Sequence, residues 1–160
     1  MIKVLFICHG NICRSPMAEF LLKDIVKKRG IAEQFYIRSA ATSTEEIWNG
    51  VGNPVHPGTR KKLAELGISC EGKRAVQLTK ADYNTYDYLI CMDTMNLKNT
   101  VKICGRDRED KIYRLLDFTK DTRDVADPWY TGNFDRTYED VMLGLESFLQ
   151  YLREEGKIEE

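Results

Sequence analysis

The sequence predicts an α/β fold with a mostly parallel sheet, and three observations support that prediction. The opening stretch IKVLFIC (2–8) is apolar on both faces, as strands inside parallel sheets are. The segment that follows it carries start and stop signals of a helix, and strand and helix patterns then alternate along the chain. This alternation implies right-handed crossover connections, which place the strands side by side and parallel.

The first helix is predicted over SPMAEFLLKDIVKKRG (15–30). Ser15 stands at the predicted N-cap and Pro16 at the first helical position, while basic residues fill the last turn and Gly30 ends the helix. Chemistry in such folds gathers at the carboxyl ends of the strands, where Cys8 lies. Further strands are predicted at 34–41, 86–93 and 111–118, and further helices at 56–67, from Thr79 onward, at 94–105 and at 137–156.

Length, charge and cysteine content narrow the possible classes of function. A chain of 160 residues has the size of one domain, predicted to extend over 1–160. Its formal net charge of -1 offers no basic surface for nucleic acid or for an anionic membrane. The apolar stretch at the N-terminus, MIKVLFIC, is too short for a signal peptide, and no apolar stretch is long enough to span a bilayer. Five cysteines without an export signal favour reduced thiols, so a cytoplasmic protein is expected.

The loop CHGNICRS (8–15), between the first strand and the first helix, carries the candidate chemistry. Cys8 is the only one of the five cysteines with an arginine, Arg14, six positions later. A loop that leads into a helix N-terminus directs backbone N–H groups inward and forms a nest for a tetrahedral oxyanion. Arg14 would add a bidentate fork, and the positive field would keep Cys8 as a nucleophilic thiolate. Gly10 and Asn11 tolerate the left-handed backbone angles that such a loop tends to require.

Ser15 has two compatible roles in this interpretation. It can cap the helix, and its hydroxyl can donate a hydrogen bond to the Cys8 sulfur, which eases the departure of that sulfur in a second step. Other sites fit less well, because a zinc site needs paired cysteines and a nucleotide-binding loop needs a Gly-Lys-Ser/Thr ending. A Cys–His–Asn hydrolase would have only His9 and His56 to draw on. A plain connecting loop needs no reactive groups and is the simplest alternative.

The stretch DPWY (127–130) is the candidate source of a proton. If Cys8 attacks a phosphate ester, the leaving oxygen needs a general acid, and a phosphocysteine must later be hydrolysed with the help of a base. Asp127 follows the fourth predicted strand, so its loop emerges at the same sheet edge as Cys8. Trp129 and Tyr130 are predicted to wall a flat substrate ring. Alone, the stretch favours a turn with a half-buried tryptophan, but beside the Cys8 loop it favours the general acid.

The stretches VLFICHGNICRSPMAE, SAATS, YDYLICMD and DPWY resemble, in the same order, the low-molecular-weight protein tyrosine phosphatases. The resemblance covers nearly the whole chain and implies a four-stranded parallel sheet flanked by helices. It also implies hydrolysis of phosphotyrosine through a phosphocysteine, with Cys8 as nucleophile, Arg14 as phosphate clamp and Asp127 as acid and then base. No metal or cofactor is expected. The implied partners are phosphotyrosine-containing proteins, among them a tyrosine kinase or its targets, and the implied assembly is a monomer or weak dimer.

The same resemblance gives supporting roles to further residues. Ser39 matches a residue of the polar network that holds the loop in shape, and Trp48 matches a third aromatic position at the mouth of the site. Cys13 matches a second loop cysteine that can trap oxidised Cys8 as a reversible disulfide. The phosphate-binding loop so defined consists of His9, Gly10, Asn11, Ile12, Cys13 and Ser15.

Two stretches depart from the family pattern. In GKRAVQ (72–77), Lys73 and Val76 stand where the family often has a histidine and an arginine. The segment 45–58 is longer than in many relatives and is predicted to shape a loop that faces the substrate. The effect of both on activity and specificity is left open by the sequence.

Three rival functions on the same or a similar framework are open to test. Thioredoxin-coupled arsenate reductases need two further cysteines close together, whereas Cys91 and Cys104 are thirteen positions apart, so negligible arsenate reduction is expected. Arginine phosphatases carry a threonine where this chain has Ile12, and this favours phosphotyrosine. A phosphate-binding module without catalysis would need neither Cys8 nor Asp127.

Overall fold

A four-stranded parallel sheet with helices on both faces forms the centre of the protein, as the sequence predicts. The computed structural model describes residues 1–160. A two-stranded antiparallel hairpin, which the sequence analysis missed, lies outside this sheet. The strands are β1 (Ile2–Cys8), β2 (Phe35–Ala41), β3 (Ile47–Trp48), β4 (Val51–Gly52), β5 (Tyr88–Cys91) and β6 (Ile112–Arg114), with the order β2-β1-β5-β6 in the main sheet.

Six α-helices connect or follow these strands. They are α1 (Arg14–Lys28), α2 (Pro57–Glu65), α3 (Asp82–Thr85), α4 (Thr94–Cys104), α5 (Pro128–Thr131) and α6 (Phe134–Glu154), and short 3-10 helices cover Ala32–Gln34 and Leu115–Phe118. None of the helices is both long enough and apolar enough to cross a lipid bilayer.

Strand β1 is buried on both faces because two separate cores pack against it. Val4 and Phe6 belong to the larger core, which includes side chains of α1 and α6. Leu5 and Ile7 belong to the smaller core on the opposite face, against which α4 packs. Side chains of successive strand residues point to opposite faces, so an all-apolar strand requires apolar layers on both sides.

The position of β1 in the sheet explains where the functional loop lies. β1 pairs in parallel with β2 along one edge and with β5 along the other. The chain therefore leaves β1 toward one side and later returns to its other side. Such a topological switch point opens a crevice beyond the carboxyl ends of the strands. Cys8, the last residue of β1, lies at this crevice.

Several predicted elements have different boundaries in the structure. The strand predicted at 86–93 extends only over Tyr88–Cys91, and the helix predicted at 56–67 extends over Pro57–Glu65. The predicted strand 111–118 ends at Arg114, because Asp117 accepts hydrogen bonds from the Arg114 backbone at 2.9 Å and from its guanidinium at 2.9 Å, and the chain turns into a 3-10 helix. Helix α6 begins at Phe134 rather than 137, since the Asn133 side chain caps it by accepting from the Arg136 N–H at 3.0 Å. The helix predicted from Thr79 onward begins at Asp82.

The start of the first helix also differs from the prediction. Helix α1 begins at Arg14, Cys13 occupies the N-cap position, and no side chain caps the helix. Pro16 is therefore the third helical residue rather than the first. The predicted cap, Ser15, instead directs its hydroxyl to Cys8.

Candidate active site

The loop 8–15 encloses the sulfur of Cys8. The Asn11 backbone N–H donates to Cys8 Sγ at 3.3 Å, and Ser15 Oγ lies 2.9 Å from the same sulfur. Asn11 adopts φ 58°, a left-handed angle that asparagine tolerates better than most residues. Gly10 has no positive φ, so the left-handed angle predicted for this loop is present at Asn11 only; a Cβ at Gly10 would lie 3.1 Å from Glu46 Cγ, a tight contact.

A buried amide sets the direction of the hydrogen bonds beneath the sulfur. The Asn11 side chain donates from Nδ2 to Ser15 Oγ at 2.8 Å and to Ser39 Oγ at 2.9 Å, while its Oδ1 accepts from the Val76 N–H at 3.1 Å. Because Ser15 Oγ accepts from Asn11, its own hydrogen can point to Cys8. A donor at this position stabilises sulfur in its anionic form.

The network continues to a buried carboxylate, Glu19. Ser39 Oγ donates to Glu19 Oε1 at 2.5 Å, and Lys23 donates to Oε2 at 2.5 Å. Lys73 donates to the Ser39 carbonyl at 3.0 Å and lies 3.5 Å from Glu19 Oε1. Burial lowers the pKa of Lys73, although Glu19 opposes this shift. Lys73 and Val76, the two departures from the family pattern, thus both bond to residues of the network beneath the loop. Lys73 bonds to Ser39, and the Val76 N–H bonds to Asn11.

Arg14 lies at the edge of the site as a buried cation, only 3% exposed. Its Nη1 donates to the Val125 carbonyl at 3.1 Å, and its Nη2 lies 2.9 Å from Asp93 Oδ2 and 3.4 Å from Asp127 Oδ2. Burial opposes the charge, but the neighbouring Cys8, Asp93 and Asp127 outweigh it and raise the pKa of Arg14. The guanidinium is therefore a permanent positive charge with a fixed orientation.

Asp127 lies next to Arg14, with its Oδ2 3.4 Å from Nη2. It is the N-cap residue of α5, and its Oδ1 accepts from the Trp129 N–H at 3.0 Å. That bond leaves Oδ2 on the side of Arg14. A carboxyl group in this position can exchange a proton with a molecule held above Cys8.

Cys8, Arg14 and Asp127 line one cavity of about 510 Å³, a typical volume for a small-ligand site. Trp129 and Tyr130 line it as well, and Tyr130 is 85% exposed, so these rings stand at the mouth rather than in the core. His9, Gly10, Ile12 and Cys13 of the loop also line the cavity.

Four predicted site residues do not line the cavity, and several wall residues were missed. Asn11 and Ser15 lie beneath the loop surface, where they bond to each other and to the Cys8 sulfur. Trp48 is 80% exposed on β3 and does not line the cavity, and Ser39 acts only beneath the loop. His9 Nε2 lies 2.9 Å from Glu45 Oε2, so the segment 45–58 does reach the site. The wall residues that sequence reasoning missed are Glu45, Glu46, Asp93, Met95 and Asn96.

Among the missed residues, Asp93 had the most direct signal in the sequence. Asp93 ends the stretch YDYLICMD and lies beyond the carboxyl end of β5. Functional residues gather beyond the carboxyl ends of parallel strands, and the same argument selects Cys8. Glu45 and Glu46 belong to the segment 45–58, which is predicted to face the substrate, but no pattern within it marks these two residues. Glu19, the sixth residue of α1, has the spacing of an ordinary surface charge on a helix.

All five cysteines are free thiols, and their environments differ. Burial, followed by the nearby Cys8 and Asp127, raises the pKa of Cys13 to about 12. Burial likewise raises the pKa of Cys91 to about 12. Both therefore hold their protons at neutral pH, and only Cys8 lies among hydrogen-bond donors at the cavity floor. No three or more His, Cys, Asp and Glu side chains are grouped to hold a metal ion.

Comparison with known proteins identifies the family of this chain. The family model described as "Low molecular weight phosphotyrosine protein phosphatase" matches residues 3–158. The low molecular weight protein-tyrosine-phosphatase YfkJ of Bacillus subtilis is 39% identical over 160 residues, which are 99% of this chain and 100% of the relative. The crystal structure of YfkJ superposes with a TM-score of 0.90 over 97% of this chain and 96% of that one.

Two further solved structures are also similar. The low molecular weight protein tyrosine phosphatase SP-PTP of Streptococcus pyogenes is 41% identical, with a TM-score of 0.83 over 95% of this chain and 93% of that one. The drosophila arginine phosphatase DARP is 28% identical, with a TM-score of 0.82 over 94% of this chain and 97% of that one. The match of the family model over nearly the whole length, together with these relatives, means that this chain belongs to the low molecular weight protein tyrosine phosphatase family.

Proposed function

We propose that this protein hydrolyses phosphotyrosine in protein substrates through a phosphocysteine intermediate. The observation that carries the proposal is the convergence of Cys8, Arg14 and Asp127 on one cavity with aromatic rings at its mouth. The names of the relatives, protein tyrosine phosphatases, support the same substrate class.

In the first step, the phosphate group occupies the loop and Cys8 attacks it. The loop N–H groups and the Arg14 fork bind the phosphate oxygens and stabilise the charge of the transition state. An S–P bond forms as the P–O bond to the tyrosyl oxygen breaks. Asp127 donates its proton to that oxygen, so that tyrosine leaves as a neutral phenol.

In the second step, water hydrolyses the phosphocysteine. The Asp127 carboxylate, deprotonated by the first step, accepts a proton from the attacking water. The S–P bond breaks and its electron pair returns to Cys8 as a thiolate. The Ser15 hydroxyl, 2.9 Å from the sulfur, stabilises this leaving group by a hydrogen bond. Inorganic phosphate then leaves the loop.

Phosphoarginine is the rival substrate, because the drosophila arginine phosphatase shares this fold. Ile12 lines the cavity, and the rings of Trp129 and Tyr130 flank it. These apolar groups suit a flat aromatic ring better than a charged guanidinium. We therefore expect kcat/KM to be higher for a phosphotyrosine peptide than for a phosphoarginine peptide of the same sequence.

Substitution of the nucleophile tests the proposal directly. Cys8→Ser should abolish turnover of phosphotyrosine peptides while retaining binding of inorganic phosphate, because the N–H groups and Arg14 remain in place. Cys70→Ser changes another buried thiol, which does not line the cavity, and serves as the matched control. Turnover by Cys8→Ser, or faster hydrolysis of phosphoarginine than of phosphotyrosine, would contradict the proposal.

The proposal extends to location and partners. A cytoplasmic location agrees with five free thiols, because oxidising compartments favour disulfides. The protein substrates include a tyrosine kinase or the targets of one, and the enzyme acts as a monomer or weak dimer. Co-purification with a Cys8→Ser trapping variant would identify those substrates.

A further inference from the structure

We propose that Asp140, on α6, is a positioning residue that holds the general acid Asp127 in place through the backbone of Ala126. The inference rests on the proposed role of Asp127. Asp140 does not line the catalytic cavity and touches no reacting atom. It acts on the peptide immediately before the general acid.

Asp140 is buried, 5% exposed, and its carboxylate is fully engaged with the segment that leads to Asp127. Its Oδ2 accepts from the Ala126 N–H at 3.0 Å. Arg123 binds both oxygens, with Nη1 at 3.0 Å from Oδ2 and Nη2 at 2.8 Å from Oδ1. Burial opposes ionisation, but Arg123 and the Ala126 N–H outweigh it and lower the pKa of Asp140. The anchor is therefore a charged acceptor with a fixed orientation.

Helix α6 also holds the other side of the same residue. Thr137, one turn before Asp140, donates from Oγ1 to the Ala126 carbonyl at 2.8 Å. Both backbone polar groups of Ala126 are thus bound by side chains of α6. The preceding residue is fixed as well, because the Val125 N–H donates to the Met92 carbonyl at 2.9 Å and its carbonyl accepts from Arg14.

The segment after Ala126 is short, and its packing is limited to the buried Pro128 and the edge contact of Trp129 with His56. Helix α5 has four residues, and Trp129 and Tyr130 are exposed. The bonds to Val125 and Ala126 therefore add to the contacts of Asp127 itself with Arg14 and the Trp129 N–H in fixing its position. Proton transfer needs hydrogen-bond distance, and a misplacement of about 1 Å can cost roughly a hundredfold in rate.

The activity of Asp140→Asn on two esters with different leaving groups distinguishes a misplaced general acid from a general loss of stability. Phenyl phosphate needs a proton on its leaving oxygen, whereas 2,4-dinitrophenyl phosphate does not. Since kcat/KM reports the steps up to phosphocysteine formation, it isolates the action of the acid. We expect kcat/KM of Asp140→Asn to fall about tenfold or more for phenyl phosphate and to stay within about twofold for the dinitrophenyl ester.

A matched control lies on the same helix. Glu146 binds Arg29 through both of its oxygens, at 2.9 and 2.7 Å, but contacts no part of the Asp127 loop. Glu146→Gln should leave kcat/KM unchanged for both esters. The double variant Asp127→Ala/Asp140→Asn should be no slower on phenyl phosphate than Asp127→Ala alone, because no acid is left to position.

The outcomes separate this inference from the proposed function. If Asp127→Ala slows both esters equally, the role of Asp127 fails and the inference fails with it. If Asp127→Ala is selective but Asp140→Asn slows both esters equally, only the inference is overturned. Should Asp140→Asn not fold, the variant Thr137→Val tests the inference instead. A fall in kcat/KM for phenyl phosphate alone, restored by Thr137→Ser, supports the inference. An equal fall in kcat/KM for both esters overturns it.

Discussion

The buried carboxylate of Glu19 offers a quantitative test of the network beneath the catalytic loop. Glu19→Gln keeps the shape of the side chain but removes its charge and one of its two acceptors. Lys23, 36% exposed in its side chain, can turn into solvent. Lys73, 11% exposed in its side chain, cannot do so and loses the carboxylate that lies 3.5 Å away. The cost of the substitution therefore falls on Lys73.

The magnitude follows from the distance between the two charges. At 3.5 Å and an effective dielectric constant of about 20, the lost attraction is about 5 kcal/mol. Lys73 keeps its hydrogen bond to the Ser39 carbonyl, which offsets part of this loss. We therefore expect the free energy of unfolding at neutral pH to fall by about 3 kcal/mol, the lower end of the range for breaking a buried ion pair.

The deficit should shrink as the pH rises. Burial already lowers the pKa of Lys73 below 10.5, and loss of Glu19 lowers it further. Between the folded and the unfolded pKa, the unfolded chain binds more protons than the folded chain, so stability increases with pH in that window. The deficit of Glu19→Gln relative to wild type should therefore be smaller near pH 10 than near pH 7.

Urea unfolding at both pH values provides the assay. Lys23→Met is the control for the exposed partner and should cost less than about 1 kcal/mol. Glu19→Gln/Lys73→Met should recover at least about half of the stability lost by Glu19→Gln alone, because no unpaired charge is left buried. Wild-type stability of Glu19→Gln, or a double variant as unstable as the single one, would refute the reasoning.

Three other substitutions test the packing of the core, the role of Arg14 in phosphate binding and the loss of stability at low pH. Gly144→Ala should lower the urea midpoint: its Cβ would lie 2.3 Å from Leu115 Cγ, and an overpacking cost of about 1–3 kcal/mol exceeds the gain of about 1 kcal/mol in helix propensity. A raised midpoint would contradict this. Arg14→Lys keeps the charge but loses the fork, so kcat for phenyl phosphate should fall about a hundredfold. A kcat equal to that of wild type would remove Arg14 from its role. Burial opposes ionisation of Asp140, but Arg123 and the Ala126 N–H lower its pKa below 3.8 in the folded protein. The stability that this shift contributes is therefore present above pH 3.8 and is lost as the pH falls through the folded pKa. Urea titrations should show wild type losing stability on acidification below about pH 4 more steeply than Asp140→Asn does, and parallel curves would exclude this contribution.

Local patterns predicted those parts of the fold that depend on neighbours in the sequence. Strand β1, the loop after it and the end of α1 near Gly30 follow from apolar runs and helix signals within short windows. The limits of such windows appear at 111–118, where an apolar run predicted one strand. There, Asp117 bends the chain back on Arg114, and a buried 3-10 turn has the same apolar pattern as a buried strand.

The sequence by itself determined the α/β fold and the pairing of a thiol with an arginine across one loop, because both are properties of contiguous residues. Only the tertiary structure decided which distant groups complete the site. Asp93 reaches Arg14 from the end of β5, Lys73 reaches Glu19 from a loop, and Asp140 reaches Ala126 from the last helix. A single charged side chain carries no sign of the partner that it will meet, because that meeting is set by how separate helices and strands pack around the sheet.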